Sequence, residues 1–176
     1  MSDLATRAAR IELLLLDVDG VLTDGRLHYT DTGSESKTFH VRDGAGLKFW
    51  QGAGKRAAII SGRDSKAVEL RAAELGLTPV LLGRKDKVPA YREVLAATGL
   101  KPDQVCAMGD DLPDLPLLMA SGISIAPADA CAEVIAVATY VTNAPGGHGA
   151  VREAIEWLLE LQGKWDAIVE RFRVPV

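Results

Sequence analysis

The chain has 176 residues, 20 Lys plus Arg against 24 Asp plus Glu, and a net charge of −4, which suits one domain spanning 1–176 that buries its own core. That balance gives no reason to expect nucleic acid or an anionic membrane surface and favours a small-molecule partner. Cys106 and Cys131 lack metal or CxxC spacing, and no stretch has membrane-spanning or signal-peptide length, so a reducing, cytoplasmic setting is expected.

Short apolar runs at 11–16, 57–60, 80–82, 105–108, 123–125 and 139–141 read as buried parallel strands. Amphipathic stretches at 64–76, 86–98, 113–121 and 129–137 lie between them, and this alternation predicts an α/β fold with a doubly wound parallel sheet. Two features break the alternation. At about 26–41, Asp31, Thr32 and Gly33 interrupt two strand-like stretches, which predicts an inserted β-hairpin. Near the C-terminus a Gly-rich loop leads into a helix with Val151, Ile155 and Leu158 at helical spacing and Gly163 as its stop.

In such a sheet, ligands bind beyond the carboxyl ends of the strands, so the polar residues there are the candidates. The first strand delivers Asp17 and Asp19, two residues apart and therefore on one side of the chain, with Gly20 allowing a tight turn. Two carboxylates so close need a cation or a proton between them. The second run ends in Ser61, able to donate to a phosphoryl oxygen, although a turn serine serves the local backbone just as well. Arg84, Lys85 and Lys87 follow the third run, and one of these cations could pair with a nucleophile and with phosphate. Asp110, Asp111 and Asp114 follow the fourth, a set of hard oxygen ligands suited to Mg²⁺.

The ordered set DVDGVLTDG, SGR, a lysine and GDDLPD resembles the four motifs of the haloacid dehalogenase superfamily. The resemblance implies a phosphoric monoester hydrolase with Mg²⁺ as cofactor. In it Asp17 is the nucleophile and a metal ligand, and Asp19 is the general acid/base that also binds metal through its carbonyl. Ser61 and Lys87 hold the phosphoryl group, Asp110 is the further metal carboxylate, and Asp111 and Asp114 support it. Only 43 residues separate Asp17 from Ser61 and 25 separate Ser61 from Lys87, so neither gap has room for a large cap domain.

That capless layout, with FHVRDGAGLK after the hairpin and GGHGAVRE near the end, is similar to the 3-deoxy-D-manno-octulosonate 8-phosphate phosphatase family, an enzyme of lipopolysaccharide biosynthesis. The similarity implies a homotetramer whose hairpins associate and whose neighbours close each site. It places substrate contacts on Asp19, His40, Val41, Arg42, Asp43, Gly44, Lys48, Arg63, Arg71 and Lys87. His40, Lys48 and His148 stand where members of the family commonly carry Asn, Arg and Arg, and a lysine cannot reproduce a bidentate arginine contact. A nine-carbon 2-keto-3-deoxy sugar 9-phosphate therefore stays open as substrate, as does a non-catalytic oligomerisation role. A phosphomutase is disfavoured because it needs a cap to keep water from the phospho-enzyme.

Overall fold

The computed structural model describes residues 2–173. Six parallel strands form one sheet in the order β5-β4-β1-β6-β7-β8. They are β1 (Leu13–Leu16), β4 (Arg56–Ile60), β5 (Val80–Leu81), β6 (Val105–Met108), β7 (Ile123–Ala126) and β8 (Tyr140–Val141). Between and around them run α1 (Ser2–Arg10), α2 (Val41–Gly52), α3 (Lys66–Leu75), α4 (Lys87–Thr98), α5 (Leu115–Ala120), α6 (Ala132–Val137), α7 (Ala150–Leu161) and α8 (Trp165–Glu170). The doubly wound α/β architecture expected from the alternation is what the chain forms, with no large cap among the described residues.

The two-residue period of the strands divides the core. Leu14, Leu16, Ile59, Cys106, Met108 and Ile125 pack on one face with side chains of α2, α3 and α7. Leu13, Leu15, Ile60, Val105 and Ala107 pack on the other with α4, α5 and α6. Because both faces are covered, the strands are apolar throughout rather than alternating, and the four leucines of β1 are all buried.

β1 lies at the centre, paired to β4 on one side and β6 on the other. Successive connections lead from β1 outward through β4 to β5, then return across the sheet to β6, so the direction of winding changes beside β1. Leu16 is in register with Ile59 and with Met108, so the chain leaves all three strands at one edge, carrying Asp17, Ser61 and Asp110 to the same place.

Where the structure departs from the sequence reading, the causes are local. The expected helix at 113–121 splits into a 3-10 turn, Leu112–Asp114, and the short α5, because Pro113 and Pro116 cannot donate backbone hydrogen bonds. The hairpin keeps only two paired residues per strand, β2 (His28–Tyr29) with β3 (Glu35–Ser36), since its polar tip has nothing to bury against within one subunit. Neither α1 nor α2 was anticipated. α2 contains Gly44, Gly46 and Gly52 and carries little helical signal. It forms because it packs closely on α7: a Cβ at Gly46 would lie 3.2 Å from the Arg152 Cα.

Candidate active site

Beyond the β1 edge lies a cavity of about 500 Å³ bordered by Asp17, Asp19, Ser61, Arg63, Lys87 and Asp110. The first turn after β1 positions the two leading carboxylates. The amides of Val21, Leu22 and Thr23 all donate to the Val18 carbonyl, which curls the chain directly after Asp17. Gly20 adopts φ +88°, and a Cβ there would sit 2.0 Å from Asp110 Oδ2, so only glycine lets the two acidic segments approach.

Asp17, Asp110 and Asp114 bring carboxylate oxygens within 4.8 Å of one another. Lys87, at the start of α4, reaches into this group and donates to Asp17 Oδ1 at 2.9 Å and to Asp114 Oδ1 at 2.6 Å. The other Asp114 oxygen accepts from the amides of Asp110 and Asp111 at 3.2 and 3.4 Å. Asp114 thus orients both the cation and the acidic loop. Asp110 Oδ1 is buried with no hydrogen-bond partner.

The electrostatics follow from three acids facing one ammonium. Burial, reinforced by Asp114 and opposed by Lys87, raises Asp17 to about 6. Burial and then repulsion from Asp17 and Asp114 raise Asp110 to about 8. Burial alone would lower Lys87, but the carboxylates of Asp17 and Asp114 outweigh it and hold the ammonium above its ordinary value. A hard divalent cation fits this set: it would supply the missing positive charge and the partner that the buried Asp110 oxygen lacks.

Asp19 points to the hairpin side. Lys37, with its side chain only 1 % exposed, is hydrogen-bonded to Asp19 Oδ1 and lies 3.5 Å from Glu35 Oε1. Arg63 stands 3.7 Å from Asp19 Oδ2 and donates to Glu35 and Tyr29 at 2.8 Å each. Lys37, Glu35 and Tyr29 were missed by sequence reasoning. The available signal was the Glu35/Lys37 pair, opposite charges two residues apart where the short strand β3 ends.

Ser61 is buried at the end of β4, and its Oγ accepts from the Arg63 amide at 3.3 Å. Of the expected substrate contacts, Asp19, Arg63 and Lys87 border the cavity. The α2 group and Arg71 do not. Asp43 is buried and accepts from the Arg152 amide at 2.8 Å, where it caps the start of α7. His40 precedes α2 with Nδ1 buried, and the Gly44 amide donates to its carbonyl. Lys48 donates to the Glu74 and Leu75 carbonyls at the end of α3. Val41 and Arg42 are exposed, and Arg71 pairs with Glu74 beside the Phe39 ring, on a separate surface groove.

Residues 80–155 match the model of the haloacid dehalogenase-like hydrolases. The chain is 44 % identical over 162 residues to the Yersinia pestis 3-deoxy-D-manno-octulosonate 8-phosphate phosphatase KdsC, covering 92 % of this chain and 87 % of that one. The Moraxella catarrhalis 3-deoxy-D-manno-octulosonate 8-phosphate phosphatase, solved with magnesium ion, phosphate ion and KDO, superposes with TM-score 0.94 at 38 % identity, covering 98 % of this chain and 99 % of that one. A probable YrbI family phosphatase from Pseudomonas syringae pv. phaseolica gives TM-score 0.96 at 43 % identity, with both chains fully covered. With the ordered motifs, the carboxylate cluster and these likenesses in agreement, the chain belongs to the 3-deoxy-D-manno-octulosonate 8-phosphate phosphatase family of haloacid dehalogenase-like hydrolases.

Proposed function

We propose that this chain hydrolyses 3-deoxy-D-manno-octulosonate 8-phosphate to the free sugar acid and inorganic phosphate, as one catalytic domain with Mg²⁺ as cofactor. The observation that carries the reading is the ion-paired array of Asp17 with the buried Lys87 and Asp114, beside an unpartnered Asp110 oxygen, in a chain 44 % identical to KdsC. Asp17 and Asp110 carboxylates, with the Asp19 backbone carbonyl, would hold the ion. Bound there, Mg²⁺ would offset charge on the phosphoryl oxygens.

Asp17, with its carboxyl at about 6, is largely ionised at neutral pH and attacks phosphorus in line. Lys87 keeps the attacking carboxylate oriented and offers positive charge to the transferring group. Asp19 protonates the leaving sugar oxygen, then takes a proton from the water that cleaves the Asp17 phosphoester. Ser61 donates its hydroxyl to a phosphoryl oxygen. The Lys37 and Arg63 contacts fix the direction in which Asp19 moves its proton.

The assembly is read as a homotetramer. Leu27 and Tyr29 of the hairpin are 46 % and 59 % exposed, and Val41 and Leu70, which line the groove beside Arg71, are 81 % and 63 % exposed. A neighbouring subunit laid there covers them and removes the open hairpin edges. It also gives the α2 contacts that do not reach their own cavity, Val41 and Arg42 above all, a place beside a neighbour's. No helix among the described residues is long and apolar enough to cross a membrane; a cytoplasmic location is the reading for an enzyme whose cysteines Cys106 and Cys131 are both free thiols.

A phosphate-release assay over sugar-acid phosphates with Mg²⁺ tests the substrate. The eight-carbon 8-phosphate is expected to give the highest kcat/KM. Preference for a nine-carbon 9-phosphate would replace the proposed substrate, and no turnover of any would remove the enzymatic reading.

A further inference from the structure

Glu153, in the first turn of α7, lies outside the cavity, yet it collects four hydrogen bonds. Its Oε1 accepts from the Asn143 amide, the Asn143 side chain and the Tyr140 hydroxyl, each at 2.8 Å, and its Oε2 accepts from the Ala144 amide at 2.9 Å. Burial would raise this carboxyl, but the Asn143 and Ala144 amides and the Tyr140 hydroxyl outweigh it and hold it below its ordinary value. These bonds tie down the near end of the loop at 143–149. Asp43, accepting from the Arg152 amide at 2.8 Å, secures the far end.

The middle of that loop rests on the turn after Asp19. The Gly147 amide donates to the Val21 carbonyl at 2.9 Å, and a Cβ at Gly146 would lie 1.8 Å from the Gly20 carbonyl oxygen. Gly20 in turn leaves no room on its other side, where a Cβ would meet Asp110 Oδ2 at 2.0 Å. Loop, turn and acidic segment are therefore stacked in van der Waals contact. The loop is also bonded to the segment after β7, through Gly146 to Asp129 at 2.9 Å, and Cys131 in that segment donates to the Asp110 carbonyl at 2.9 Å.

We infer that Glu153 is a positioning residue for the metal centre: by clamping the loop on Gly20, it sets the separation between the Asp19 backbone and the Asp110 carboxylate. The inference rests on the Mg²⁺-dependent phosphatase reading. When the clamp is removed the loop lifts, the turn gains freedom, and the two ligand segments drift apart.

The test uses Glu153→Ala and Glu153→Gln in the full chain, with an aryl phosphate as substrate. Two curves are measured for each, activity against Mg²⁺ concentration and Mg²⁺ binding by titration calorimetry, with the unfolding temperature of the metal-free protein recorded alongside. Glu153→Ala should shift the midpoint of both curves upward by about tenfold, the scale on which groups supporting metal ligands act. Glu153→Gln, which keeps one acceptor oxygen, should fall between it and the wild type. A role in folding alone would lower the unfolding temperature without moving either midpoint, and that result overturns the inference. Should Glu153→Ala fail to fold, Glu153→Gln decides by the same criterion. A wild-type protein with no Mg²⁺ response would overturn the phosphatase reading itself, whereas a responsive wild type with unresponsive midpoints in both variants would overturn only the role of Glu153.

Discussion

At the scale of single residues, the acidic cluster makes a prediction about pH. A carboxyl raised in the folded protein binds more protons than it does unfolded, so folded stability falls as pH rises through the interval between the two values. For Asp110 that interval runs from the ordinary aspartate value of 3.8 to about 8. Chelated protein should therefore lose thermal stability from pH 5 to pH 8, and Mg²⁺ should flatten the slope by replacing the proton. Differential scanning calorimetry at fixed ionic strength checks this, and a metal-free protein equally stable across the range would contradict it. Lys37 carries a second prediction, because it is buried against Asp19 and no motif pointed to it. Lys37→Met should lower kcat by about 10²-fold, the lower part of the range for acid–base assistance, with Mg²⁺ midpoints unchanged. Asp17, Ser61 and Asp110 were legible as candidates because each follows an apolar strand, whereas Lys87 stood apart from Arg84 and Lys85 only through the family resemblance. Lys37 was not legible, since its partner is remote in sequence and the strand it follows is two residues long.

At the scale of elements, the pairing of α2 with α7 explains a helix that periodicity did not reveal. Its glycines weaken intrinsic helicity but permit close approach, and tertiary packing outweighs propensity. Gly46→Leu should destabilise the fold by about 1–3 kcal/mol through overpacking against Arg152 and Ile155, measured by urea unfolding. The hairpin is the opposite case, foreseen by its turn residues but too short to be stable alone. Replacing residues 27–36 with a short Gly/Ser link should give a monomer by light scattering. The same variant should lose turnover of the sugar-acid phosphate by a larger factor than turnover of an aryl phosphate. A wild-type protein that is monomeric and fully active at assay concentration would contradict the tetramer.

At the scale of the whole molecule, the alternation of apolar runs and amphipathic stretches specified the sheet because every inner strand is covered on both faces. The substrate contacts were harder to read. The α2 residues that the family resemblance proposed as contacts are near the motifs in sequence but do not line the cavity of their own chain, so only the proposed assembly would bring them to a site. What one subunit does assemble is the array of Asp17, Lys87, Asp110 and Asp114, and the claim that this array performs phosphoryl transfer is the centre of the account. The direct test is release of inorganic phosphate from 3-deoxy-D-manno-octulosonate 8-phosphate by the purified protein and by its Asp17→Asn variant, each with Mg²⁺ and after chelation. The account predicts turnover by wild type with Mg²⁺, none after chelation, and a loss of about 10⁴-fold or more in a folded Asp17→Asn protein. Undiminished phosphate release by that variant, or by the chelated wild type, would contradict it.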